Sequence, residues 1–219
     1  MKILINALAL KNPIKGSGGS ARHLEEFLGS IDRVSSNHEY ILCLDKEFAD
    51  LNRFSFPSCK TIAFSIKSLP NRVWIDQIIL PELIRKERCL FLFSLLTFGI
   101  LRPPVPQTLF VRTPIYFSKR YIHSIPLGQR LALNARRKWL ELGIQASKFI
   151  IVPSQAMKDS ILEMNDKLPS ERFLVIPHGF DKDRFLKTLN STLQNLSPKK
   201  GEECSNISFI VKCWNYSRN

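Results

Sequence analysis

The sequence has 219 residues, 44% of them hydrophobic and 23% charged. That composition suits one large domain or one and a half small ones, and it excludes a wholly disordered chain. Lys and Arg number 32 against 19 Asp and Glu, a formal net charge of +13, which favours anionic partners such as nucleic acid, acidic lipid or phosphorylated substrates. Cys43, Cys59, Cys89, Cys204 and Cys213 are scattered and form no CxxC pair, which argues against a disulfide framework or a zinc ribbon and for a reducing, cytoplasmic setting. The longest apolar run, residues 89–101, is 13 residues long and contains Ser94 and Thr97. A bilayer span needs about 20 residues. The apolar start is broken by Asn6 and is too short for a signal peptide.

In chain order, short apolar runs alternate with stretches of helical period. Ile3-Leu4-Ile5 reads as a strand. After a loop rich in Gly and Ser, residues Ala21, Leu24, Phe27, Leu28 and Ile31 mark one face of a helix, with Ser20 as its expected N-cap. Residues 40–44 and 61–66 read as buried strands. Residues 73–85 read as a helix in which Pro81 forces a kink or a new turn. Strands are expected at 90–95 and 108–111, a long basic helix at 127–146, then strand 149–152, helix 155–164 and strand 173–176. Such alternation predicts an α/β fold with a doubly wound parallel, Rossmann-like sheet over residues 1–186. From 187 to 206 Ser, Asn, Lys and Glu dominate, which reads as a linker, and residues 207–219 begin what resembles a further strand.

The loop Gly16-Ser17-Gly18-Gly19-Ser20-Ala21 lies between a strand and a helix. Glycines expose backbone N–H groups, and a helix N-terminus adds partial positive charge, so the arrangement suits a phosphate. It formally matches GxGxxA, with Asp45 as a ribose-binding acid, but about ten residues separate it from the first strand, too many for a dinucleotide fingerprint. An anion or sugar-phosphate loop, a plain loop and a nicotinamide or flavin site stay open in that order. Residues 112–138 hold Arg112, Lys119, Arg120, Arg130, Arg136, Arg137 and Lys138 with no Asp or Glu, and Tyr116, Phe117 and Tyr121 are interleaved. That segment reads as a solvated basic face, an acidic-lipid patch or a phosphate-ligand surface; no nucleic-acid motif accompanies it. Ser154 is expected to cap a helix. His178-Gly179 follows the last strand, where ligand crevices of parallel sheets form, although a structural turn accounts for the pair nearly as well.

Three segments taken together resemble the N-terminal domain of retaining glycosyltransferases of family 4, whose architecture is the two-domain GT-B fold. They are Met1-Lys2-Ile3-Leu4-Ile5 with the Gly18-Gly19 loop, Ile150-Ile151-Val152-Pro153-Ser154-Gln155-Ala156-Met157, and Val175-Ile176-Pro177-His178-Gly179-Phe180-Asp181 followed by Phe185. The resemblance implies the acceptor-side half of such an enzyme, truncated before the donor domain, with 207–219 a remnant of that domain's first strand. It implies Gly18 and Gly19 near the donor phosphates and His178 and Gly179 in the cleft. Arg112 stands where family members commonly carry a His, and contributes a positive charge.

The expected function is therefore transfer of a hexosyl group from a nucleotide-sugar to a glycan or lipid-linked acceptor when completed by a donor domain, the chain being either truncated or completed by a separate donor-domain polypeptide. No metal and no cofactor is expected, and the catalytic residues are not identified. The competing expectation is a non-catalytic basic module that binds an acidic membrane surface, on the inner face, or another polyanion. Nucleic acid is not expected.

Overall fold

Most strands are short runs of mostly apolar residues, and each finds a parallel neighbour. The computed structural model describes residues 1–10, 18–33, 38–50, 59–165 and 167–177. Strands β1 (Lys2–Asn6), β2 (Glu39–Asp45), β3 (Cys59–Phe64), β4 (Phe91–Ser94), β5 (Gln107–Phe110), β6 (Phe149–Val152) and β7 (Phe173–Val175) form one seven-stranded sheet in the order β3-β2-β1-β4-β5-β6-β7. Every pairing in it is parallel, so the expected doubly wound α/β sheet is the observed one.

The strand order reverses at β1. From β1 the chain moves outward to β2 and β3, then crosses back to β4 and moves the other way to β7. Right-handed crossovers in opposite directions place their helices on opposite faces. Helices α1 (Gly18–Arg33) and α2 (Lys46–Ala49) cover one face, where Ala21, Leu24, Leu28 and Phe48 pack on Ile5, Leu42 and Leu44. On the other face α3 (Leu69–Trp74) and α4 (Leu80–Lys86), with the intervening segment, bury Ile75, Leu80 and Ile84 against Leu4, Ile41 and Leu92. Beside them α6 (Leu127–Ala146) and α7 (Gln155–Met164) bury Leu140, Ile144, Met157 and Ile161 against Leu109, Ile150 and Val152. The short helix α5 (Lys119–Ser124) leads into α6.

Two local features depart from a regular reading. The expected kink at Pro81 is spread over a π-helical stretch, Ile75–Ile79, in which the Leu80 N–H donates to the Ile75 carbonyl. Proline has no N–H for the carbonyl four residues back, and the widened turn absorbs that missing donor just before it. Helix α1 begins at Gly18, so Ser20 lies inside its first turn instead of capping it. Ser154 does cap α7, accepting from the Met157 N–H at 3.3 Å.

Gln107 at the start of β5 is fully buried and satisfied on every side. Its Oε1 accepts from Ser94 Oγ at 3.1 Å and from the Ile100 N–H at 2.8 Å. Its Nε2 donates to the Ile100 carbonyl at 3.1 Å and to Ser147 Oγ at 2.9 Å. One amide thus ties β4, the 95–101 segment and the C-terminus of α6 together. Arg172 donates to the carbonyls of Ile144, Gln145 and Ser147 and closes the end of α6.

Candidate functional site

In open parallel sheets ligands settle outside the carboxyl ends of the strands where the order reverses. Here that point lies between β1 and β4. The residues leaving these strands, Asn6 to Leu8 and Leu95 to Thr97, are packed closely, and the Leu95 N–H donates to the Asn6 carbonyl at 3.1 Å. Thr97 adopts φ 54°, an unusual conformation for a β-branched residue. It is held there by its N–H to the Phe110 carbonyl at 2.9 Å and by a 3.4 Å hydroxyl contact with Thr113.

Gly18 and Gly19 are the first two residues of α1, and Arg112 follows the end of β5. The fold brings them to one corner: Arg112 Nη2 donates to Ser20 Oγ at 2.6 Å across 92 residues of sequence. The guanidinium also lies 5.9 Å from the centroid of the Phe110 ring. Burial holds the Arg112 pKa below its ordinary value, because charge is less stable away from water. The first amides of α1 have no carbonyl four residues earlier in the helix. Together with a cation fixed beside them, they form a corner that suits a phosphate or diphosphate. His178 and Gly179 lie outside the described residues, as do Gly16 and Ser17. Asp45, considered as a ribose ligand, instead caps α2 by accepting from the Glu47 N–H at 2.9 Å.

A second element was not legible as a site. A cavity of about 250 Å³ opens between the α3 region and α6, lined by Arg72, Asp76 and Arg136, by the rings of Phe98, Tyr116 and Trp139, and by Leu69 and Val73. Phe98 meets Tyr116 and Trp139 edge-on, with centroids at 5.8 and 6.1 Å. The indole N–H of Trp139 is buried without an acceptor among the described residues. Asp76 is 4% exposed. It accepts from Asn6 Nδ2 at 3.0 Å and from Arg72 Nε at 3.2 Å. Burial raises its pKa, and Arg72 and Asn6 partly oppose that rise. The flat apolar rings, the carboxylate and the two guanidinium groups suit a polar ring compound that carries hydroxyl groups and negative charge. The signal that could have found it is an acid inside the apolar run Trp74-Ile75-Asp76-Gln77-Ile78-Ile79.

No family model matches the sequence, and no curated protein matches it. Solved structures do. A glycosyltransferase from Rickettsia africae ESF-5 aligns with 91% of this chain and 50% of its own, at 18% identity and a TM-score of 0.50. UDP-GlcNAc 2-epimerase from Neisseria meningitidis, bound to UDP-GlcNAc, aligns with 80% of this chain and 45% of its own, at 11% identity and a TM-score of 0.50. Apo UGT2 from Phytolacca americana aligns with 86% of this chain and 54% of its own, at 13% identity and a TM-score of 0.50. The chain therefore spans about half the length of these proteins. At such identities the likeness shows the fold, a doubly wound parallel sheet of the kind that forms one half of a GT-B protein.

Proposed function

We propose that this domain is the acceptor-side half of a nucleotide-sugar-dependent glycosyltransferase, of the retaining, family 4 type that its motifs resemble. The observation that carries the reading is the Ser20–Arg112 hydrogen bond of 2.6 Å. It fixes a cation beside the amides of a helix N-terminus, on the carboxyl-end side of the sheet, where a donor diphosphate would lie. Leaving-group charge is stabilised by such preorganised donors. In this reading the α1 corner faces the diphosphate, and the cavity beside Asp76 and Trp139 holds the acceptor. His178 and Gly179 are assigned to the cleft by the same resemblance. The groups that contact the nucleoside and complete the reacting centre come from a donor domain.

One side of a diphosphate, met without a facing domain, is a weak site. Affinity of the 219-residue chain for nucleoside diphosphates is expected to be weaker than about 1 mM, roughly −4 kcal/mol. Nuclear magnetic resonance titration with uridine, guanosine and adenosine diphosphates reads binding in that range. Shifts that cluster on the amides of Gly18, Gly19 and Ser20 and on the Arg112 side chain support the reading. Shifts elsewhere only, or none at 10 mM or about that concentration, overturn it.

A further inference from the structure

The cations of residues 112–138 do not form one patch. Arg112 turns to Ser20, Arg130 donates to the carbonyls of Ile122 and His123, and Arg137 and Lys138 share Glu141 at 3.0 and 3.5 Å. Arg136 is different: it lines the cavity beside Asp76 and has no anionic partner among the described residues. Spaced three residues apart on α6, Arg136 and Trp139 share one face of the helix. Leu69, Arg72, Val73 and Asp76 recur at helical spacing on the facing wall. Two guanidinium groups therefore stand against one carboxylate, and Arg72 already holds that carboxylate at 3.2 Å. Ionised or protonated, Asp76 leaves the lining with a net positive charge.

The cavity lies on the carboxyl-end side of the sheet, as the α1 corner does. Asn6, which donates to Asp76, ends β1, and Phe98 and Tyr116 follow β4 and β5. We propose that Arg136 selects an acceptor that carries an anion, a carboxylate or a phosphate, on a hydroxylated sugar ring. The proposal rests on the glycosyltransferase reading above and adds the acceptor's charge to it. The rings of Phe98, Tyr116 and Trp139 give the sugar an apolar wall, and Asp76 offers lone pairs to its hydroxyl groups. Arg136 is exposed, so it keeps its full charge without an internal partner. Its planar fork pairs with either kind of oxyanion through two parallel hydrogen bonds. A neutral sugar has nothing to offer that fork beyond what water already gives.

The test is nuclear magnetic resonance titration of the full chain, read at the indole N–H of Trp139. The sequence has three Trp residues, and Trp139→Phe identifies the signal. The probes are methyl glucuronide, glucose 6-phosphate, methyl glucoside and inorganic phosphate alone, each up to about 50 mM at one ionic strength. At least one anionic sugar is expected to bind about fivefold or more tightly than methyl glucoside or inorganic phosphate. The two anionic sugars tell carboxylate from phosphate. In Arg136→Gln the preference is expected to vanish while methyl glucoside affinity stays within about twofold. Arg136→Lys should keep part of it. Arg137→Gln removes the same formal charge from the neighbour paired with Glu141 and is expected to behave as the parent. Equal binding of glucoside and anionic sugars overturns the proposal and leaves the cavity an acceptor site. A preference that survives Arg136→Gln, or that Arg137→Gln abolishes equally, overturns it as well. So does binding of inorganic phosphate as tight as that of the sugars. Absence of any shift at Trp139 overturns both the proposal and the assignment of the cavity to the acceptor. No nucleotide is present, so failure of diphosphate binding at Gly18 and Gly19 is a separate result that touches the donor reading alone.

Discussion

Asn6, the last residue of β1, donates its side-chain amide to Asp76 at 3.0 Å across 70 residues of sequence. The same side chain accepts from the Leu8 N–H at 3.1 Å, so it ties the end of the strand to the π-helical stretch. Burial raises the Asp76 pKa above its usual 3.8. The folded state therefore holds this proton more tightly than the unfolded state. Its contribution to stability is fully present below the unfolded pKa and is lost as pH rises through the folded one. Stability of the parent relative to Asp76→Asn is expected to decline as pH rises from about 4 towards neutrality. Urea unfolding of both proteins at a series of pH values checks this, and a rising difference would contradict it.

The Gln107 amide should matter more for stability than any exposed ion pair. Gln107→Leu strands the N–H and carbonyl of Ile100 and removes partners from Ser94 and Ser147. Loss of roughly 3 kcal/mol or more is expected, since each buried polar group left unpaired costs about 1–3 kcal/mol. A Cβ at Gly99 would come within 2.8 Å of the same amide, so Gly99→Ala should be destabilising too. Denaturant midpoints of the two variants are the measurement. A loss below about 1 kcal/mol for Gln107→Leu would show that the buried network relaxes freely.

Most of the fold was legible because strands of a parallel sheet are apolar on both faces and stand out as short runs. The 3.6-residue period likewise gave α6 and α7 their observed bounds. The N-terminus of α1 was misplaced by three residues because Ser20 is a good capping residue; its hydroxyl instead accepts from Arg112. Proximity of that kind, over 92 residues, follows from strand order and cannot be read from local pattern. The cavity was hidden for the same reason. Trp139, Phe98 and Asp76 share no pattern in the sequence, and only the packing of α6 beside the α3 region gathers them.

Cys43 and Cys89 are free, buried thiols, and burial pushes the pKa of both upward. Their thiolates are correspondingly scarce near neutral pH. Iodoacetamide at pH 7.5 or about that value should leave both unmodified in the native protein and label both after unfolding. Peptide mass spectrometry reads each position separately. Rapid native labelling of Cys43, which is 0% exposed, would mean that the β2 core opens readily.

The corner at the start of α1 makes a sharper prediction about how its parts divide the work. Arg112 supplies the charge, and Ser20 holds the guanidinium in place by accepting its hydrogen bond. Arg112→Gln removes a charge-assisted bond worth about 1.5–3 kcal/mol, so nucleoside diphosphate affinity should fall by roughly tenfold or more. Ser20→Ala leaves the charge and removes its anchor. A loss of about 1 kcal/mol, near fivefold, is expected. Arg112→Lys keeps a point charge but cannot both reach Ser20 and face the ligand with a planar fork, so it should lie between the two. The double change Arg112→Gln with Ser20→Ala should cost no more than Arg112→Gln alone, because the serine then has nothing to position. Titration of the amides of Gly18 and Gly19 with uridine diphosphate gives all four affinities. Full additivity of the two losses would show that Ser20 and Arg112 act apart and that the 2.6 Å bond is incidental to binding.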